Sequence, residues 1–290
     1  MEEGIDPVAV PGVRFAQRRV KVQDGVRLRI FEWRPATEDG ADPILFVAGW
    51  ISLVTGWVPL LEELVRIHPV YYLETREKQS AEIPDELMRP ENFSIPRLAE
   101  DLVEVSSELG LDGEKTLLFG SSMGSNAILE ALKAERLAAR AAFVIGPNAE
   151  FRFPWWGRPL VYLPPWVYLA AKPYVLWYLR TFRVNAREDP EQMARYVRTI
   201  RAANPQRIML SARAVLDYRA LPGLETVTTP VAVAYAANDT LHGEEEIRRI
   251  VDAMPRALAV NCPSNTYMHT SAVADDIQEF IRRLAAEMEP

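Results

Sequence analysis

The sequence predicts an α/β fold: a mostly parallel central sheet covered by helices on both faces, with one inserted segment. Three observations carry this. Short apolar runs alternate with segments of helical periodicity along most of the chain. The runs are apolar throughout, as strands buried on both faces are. The alternation fails once, over residues 148–206, where prolines and aromatics crowd together. A chain of 290 residues suits one large domain, or one domain carrying a subdomain. The expected organisation is a core of residues 1–147 and 207–290, interrupted by a helical cap of residues 148–206.

Taken in order, Arg14 to Val22 alternates, Asp24-Gly25 is a turn signal and Val26 to Trp33 alternates again, which predicts a hairpin. Ile44 to Val47 is the first doubly buried strand. Trp57, Leu60, Leu61 and Leu64 have helical spacing, and Val70 to Leu73 is the next strand. Leu98, Leu102, Val105 and Leu109 mark a helix that starts near Ser94 and ends at Gly110. Thr116 to Phe119 predicts a strand, Asn126 to Ala134 a helix and Ala141 to Ile145 a strand. Inside the insertion, Asp189-Pro190-Glu191-Gln192 offers an N-cap, a proline at the first helical position and a capping-box-like glutamine. Alternation then resumes. A helix is expected around Ile208 to Leu216, a strand at Pro230 to Tyr235 and a helix around Ile247 to Met254. A strand at Ala257 to Val260 and a last helix around Val273 to Leu284 follow.

Composition narrows the function classes. A net charge of −7 argues against a nucleic-acid partner, which calls for a basic face. One cysteine, Cys262, excludes an internal disulfide, and no Cys/His cluster suggests a metal. The acidic first residues do not read as a signal peptide. The longest apolar stretch, about Pro159 to Phe182, is broken by Pro164, Pro165, Lys172, Pro173 and Arg180, so no transmembrane segment is expected. A cytoplasmic location is the expectation.

The sharpest chemical signal is Gly120-Ser121-Ser122-Met123-Gly124, directly after one predicted strand and directly before a predicted helix. A tight strand-to-helix turn forces its central serine into a strained conformation. Small residues at 120 and 124 let the turn pack closely. The helix N-terminus supplies unpaired N–H groups beside the serine.

With this motif in this context, the chain resembles the α/β-hydrolase superfamily in its serine esterase and lipase branch, over nearly everything outside 148–206. The resemblance implies Ser122 as nucleophile, Asp239 after the strand Pro230 to Tyr235 as acid, and His269 after the strand Ala257 to Val260 as base. His242 is the rival base and Glu150 the rival acid; His68 reads as structural. The resemblance also implies an oxyanion hole of two backbone donors. One is Met123 N–H. The other is Trp50 N–H, from Ala48-Gly49-Trp50, where the family commonly has His-Gly-x. Glu74-Thr75-Arg76 to Ser80 occupies the place of the family's Asp-x-Arg-Gly-x-Gly-x-Ser segment; it lacks the glycines and reads as structural.

The implied reaction is hydrolysis of a small apolar acyl or aryl carboxylic ester through an acyl-enzyme, without metal or organic cofactor. Ile51, Trp57, Trp155 and Trp156 are the candidate pocket residues. The aromatics of the insertion suit an apolar pocket, a cap packed on the core, or peripheral contact with lipid. A carbon–carbon bond hydrolase or an amidase would share the triad, and a non-catalytic binding member of the fold is the alternative of another class. The sequence leaves the oligomeric state open.

Overall fold

A computed structural model describes residues 5–37, 40–151, 155, 157–183, 190–236 and 243–288. The predicted hairpin is present as β1 (Val13–Lys21) and β2 (Arg27–Pro35), paired antiparallel across a turn in which Gly25 takes φ 88°. The remaining strands are β3 (Ile44–Val47), β4 (Val70–Glu74), β5 (Leu117–Ser121), β6 (Ala141–Ile145), β7 (Val231–Ala236) and β8 (Ala257–Cys262). Among the described residues they form one eight-stranded sheet in the order β1-β2-β4-β3-β5-β6-β7-β8. From β4 onward every pairing is parallel; β2 meets β4 antiparallel.

The period-two side-chain alternation of the strands divides the core. Leu45, Val47 and Leu118 point to one face, where α2 (Ile95–Glu108), α3 (Met123–Leu132) and α7 (Glu244–Asp252) cover them. Ile44, Phe46, Leu117 and Phe119 point to the other face, under α1 (Val58–Ile67) and α8 (Val273–Met288). Ser94 caps α2 as expected, accepting a hydrogen bond from Arg97 N–H. Full burial of one such leucine is worth about 1.5–3 kcal/mol, so the two covered faces supply the dominant stabilisation.

The insertion contributes α4 (Pro165–Tyr178), a short π-helical stretch over Leu179–Arg183, α5 (Pro190–Ala202) and α6 (Pro205–Val215). The expected N-cap Asp189 lies outside the described residues. The chain leaves the sheet just after β6 and returns where Ala220 N–H donates to Ala149 C=O at 2.9 Å, with a β-bridge between Glu150 and Arg219. The two ends of this excursion thus meet at Ala149–Glu150 and Arg219–Ala220. α6 lies within the excursion, and its Ile208 and Met209 share an apolar cluster with Ile200 of α5.

His68 is structural, as expected. It is buried at the end of α1, with Nδ1 at 2.8 Å from Asp42 C=O and Nε2 at 2.7 Å from the Gln278 side chain. Burial lowers its pKa below the ordinary 6.5, against the opposing pull of Asp42 and Gln278. A lowered folded-state pKa means that the unfolded chain binds the proton first as pH falls. The associated stability is whole above about pH 6.5 and is lost below it, towards the folded-state value. Thermal midpoints measured between pH 8 and 5 should fall on acidification, and the fall should be shallower in His68→Gln. Equal slopes would contradict this assignment.

Candidate active site

β5 runs straight into α3 through Ser122, which has φ 49° and ψ −116°. That conformation lies outside even the left-handed helical well, so a non-glycine residue there is strained. The surroundings hold it. Ser122 N–H donates to Ile145 C=O at 2.7 Å, and Ser122 C=O accepts from Asn126 N–H at 3.0 Å. Gly124 is required by contact, since a Cβ there would stand 2.1 Å from Val47 C=O; one on Gly120 would stand 3.0 Å from the Ser125 backbone and press on the end of the Ile128 side chain. The first turn of α3 thus rests on the end of β3. Met123 is the first residue of α3, so its N–H lacks an intrahelical acceptor.

The loop leaving β3 closes on this turn. A Cβ on Gly49 would stand 3.4 Å from Ser122 Cβ, so the Gly49 backbone lies directly beside the serine. Ser52 N–H folds back to Gly49 C=O at 3.0 Å. Ile51, a β-branched residue in the same loop, takes φ 49°, a second strained position. Its side chain is buried beside Ile200, Ile208 and Met209. The Trp50 indole reaches α6, where Nε1 donates to Ser211 Oγ at 2.8 Å.

His269 ends a short 3-10 turn (Tyr267–His269) that follows β8. Its ring lies 4.0 Å, centroid to centroid, from that of Trp57. Trp57 is fully buried, and its Nε1 donates to Ser52 Oγ at 3.0 Å. One contact path therefore runs from His269 through Trp57 and Ser52 to the loop beside Ser122. Both ends of that path lie beyond the carboxyl ends of parallel strands, where open α/β sheets bind their ligands.

The remaining sequence expectations divide. Asp239, His242 and Trp156 lie outside the described residues. Glu150 faces Arg219 at 3.5 Å. Trp57 is near the site as core packing under His269. Trp155, the remaining pocket candidate, is 84% exposed.

The motif reading passed over residues that also reach the site. Asn148, just past β6, exchanges hydrogen bonds with Asn126 (Asn126 Nδ2 to Asn148 C=O 2.7 Å, Asn148 N–H to Asn126 Oδ1 3.0 Å), and its Nδ2 lies 3.5 Å from Ser122 Oγ. The loop after β4 contains two buried ionic clusters. Arg76 is wholly buried and paired with Asp101 of α2 and with Asp24, a structural role as expected. Burial pushes the Asp101 carboxyl upward, against the opposing pull of Arg76 and Arg97.

The second cluster had no expected role. Lys78 Nζ donates to Gly49 C=O at 2.7 Å and pairs with Glu77, whose Oε1 accepts from Ile51 N–H at 3.3 Å and from Thr75 Oγ1 at 2.8 Å. Lys78, Glu77 and Thr75 are all buried. The available signal was the departure itself: a charged residue, Glu77, where the resembled segment has its first glycine.

With the geometry in hand, comparison identifies the architecture. No family model and no curated protein matches this sequence. Solved structures do match. A hydrolase from Pseudomonas aeruginosa PA01 superposes with TM-score 0.73 at 16% identity, covering 93% of this chain and 98% of its own. A thermophilic esterase from Thermogutta terrifontis gives 0.72 at 18%, covering 93% and 99%. An enol-lactonase from Burkholderia xenovorans LB400 gives 0.73 at 15%, covering 93% and 100%. The chain has the α/β-hydrolase fold.

The strain at Ser122 is directly measurable. Ser122→Gly should raise the stability by about 1 kcal/mol, because glycine adopts this conformation without penalty, whereas Ser122→Ala should leave it nearly unchanged. Denaturant midpoints of the two variants against wild type provide the check.

Proposed function

We propose that the protein is a serine hydrolase of carboxylic esters with apolar acyl or aryl groups. The observation that carries this reading is the forced conformation of Ser122 at the β5–α3 turn. It presents a hydroxyl at the sheet's carboxyl edge, with Met123 N–H beside it and the His269 turn arriving from β8. In this reading Ser122 Oγ attacks the ester carbonyl carbon while His269 takes its proton. His269 then returns that proton to the departing alkoxide, leaving an acyl-enzyme. Water, deprotonated by the same imidazole, cleaves the acyl-enzyme and regenerates the serine. Asp239 orients the imidazole. The apolar preference is supported by the cluster of Ile51, Ile200, Ile208 and Met209 next to the Gly49–Ser52 loop.

Trp50 and Met123 N–H groups form the oxyanion hole in this mechanism, and Lys78 positions the first of them. The peptide joining Gly49 to Trp50 is planar, so its C=O and N–H point in opposite directions. Lys78 Nζ and Ser52 N–H both hold the carbonyl end. That fixes the direction of the Trp50 N–H, and a cation on the carbonyl polarises the N–H into a stronger donor. Glu77 meanwhile holds Ile51 N–H and so stabilises the strained residue that follows.

Ser122→Ala should lower turnover of a matched ester by roughly 10³-fold or more with the fold retained. A fluorophosphonate should label wild type at Ser122 and leave the variant unlabelled. Asp239→Asn should cost on the order of 10⁴-fold, as in serine proteases, and Glu150→Gln little. Unlabelled wild type would overturn the hydrolase reading, and the reverse order for the two carboxylates would move the acid to the end of β6.

Lys78→Met should lower kcat on an ester by about 10²-fold. The loss should be clearly smaller on the matching thionoester, whose sulfur accepts hydrogen bonds weakly, and Lys78→Arg should recover part of it. Equal losses on both substrates would reduce Lys78 to a packing role.

A further inference from the structure

The cap helix α4 has two apolar faces. Tyr168, Val175 and Leu176 turn inward and pack beside Ile51, Ile200, Ile208 and Met209. The opposite face carries Trp166, Leu169, Ala170, Pro173, Tyr174 and Trp177, at the i, i+3, i+4, i+7, i+8, i+11 spacing of one helical stripe, and every one of them is exposed. Trp166 is 67% exposed and Trp177 51%. No residue of α4 is fully buried, although its fourteen residues include one charge, Lys172. A helix apolar on all sides is ordinarily enclosed by protein or by lipid. The stripe continues N-terminally into the turn Pro159–Tyr162, where Leu160 and Tyr162 are also exposed.

The charge around this stripe selects what covers it. From Phe151 to Arg187 the sequence holds six basic residues, Arg152, Arg158, Lys172, Arg180, Arg183 and Arg187, and no aspartate or glutamate. This stands in a chain of net charge −7. Arg158 reaches Asp217 outside the segment, through a pair that is itself largely solvated. Arg180, just past the stripe, is exposed. A basic, acid-free segment bearing exposed tryptophan and tyrosine matches an anionic bilayer surface: the rings enter the headgroup level and the cations meet the lipid charge. No helix among the described residues is long and apolar enough to cross a membrane, and α4 is far shorter than a span. The geometry is one of lying on a surface rather than crossing it.

We propose that the outer face of α4 docks the protein onto anionic lipid bilayers, with the helix lying in the interface. The inner face of the same helix adjoins the cluster beside the Gly49–Ser52 loop, so docking brings that loop close to the lipid. Binding to the bilayer needs no catalysis, so this proposal and the hydrolase reading fail separately.

The test is flotation of the full-length Ser122→Ala protein with phosphatidylcholine vesicles, with and without about a third phosphatidylglycerol. Binding should be at least about tenfold stronger to the anionic vesicles and should fall strongly by about 0.5 M salt, which screens surface charge. Tryptophan emission should shift to shorter wavelength on binding. Trp166→Ser with Leu169→Ser, both at exposed positions, should abolish flotation while leaving the thermal midpoint near wild type. Arg180→Glu should weaken binding to anionic vesicles selectively. Equal binding to both vesicle types, or none, overturns the proposal. So does a dimer by light scattering that the Trp166/Leu169 variant converts to monomer, because the stripe is then covered by a second copy of this chain.

Discussion

The reversal of the chain at Ser122 is the constraint on which the rest of the site depends. A β-strand and an α-helix can meet through one residue only if that residue leaves every comfortable backbone basin, and Ser122 does so. The strain persists because rigid neighbours surround it: β6 accepts its N–H, α3 donates to its carbonyl, and α3 lies so close to β3 that only hydrogen fits at the α-carbon of residue 124. The strained turn is therefore a property of the assembled sheet rather than of its five residues. The same closeness draws the loop after β3 against the serine, and that loop carries a second strained residue of its own.

Much of this was legible in the sequence, and for identifiable reasons. Parallel strands buried on both faces read as unbroken apolar runs, so Ile44 to Val47 and Ala141 to Ile145 announced themselves. The β5–α3 turn was legible because its small residues sit between two such signals. The order of the sheet was not, since nothing in β2 states that it pairs with β4. The stem between β6 and β7 was not legible either, because α5 and α6 are separated by only two residues and no change of composition marks the return. Trp155 illustrates a different limit: aromatic content signals that a segment must be covered, but not by what. The helical phase of Trp166, Leu169, Pro173 and Trp177 was present in the sequence all along.

The loop after β4 shows how a departure from a familiar pattern carries information. Glycines there would let backbone approach backbone. Where the first of them would stand, Glu77 brings a side chain inward, and with its neighbour Lys78 buries opposite charges together. Buried pairs seldom add much net stability, because desolvation offsets most of the attraction. Their geometry is demanding, however, and a demanding geometry transmits position. Arg207 of α6 extends the cluster by donating to Lys78 C=O and to Ala81 C=O, so α6 grips the same loop that reaches Gly49. Burial lowers the Arg207 pKa, with Glu77 pulling in the opposite direction.

The closed stem between β6 and β7 bears on how such a chain can change. The chain leaves the sheet at Ala149 and rejoins it at Ala220, where a backbone hydrogen bond and the Glu150–Arg219 bridge bring the two ends together. An excursion whose ends already touch adds little strain to its host, and the entropy of closing it grows only slowly with its length. The segment is thus a replaceable module: a longer, shorter or differently charged one can be spliced onto the same two residues while the strands beneath keep their register. Heredity and protein engineering alike can then vary what lies above Ser122 without disturbing the turn that holds it.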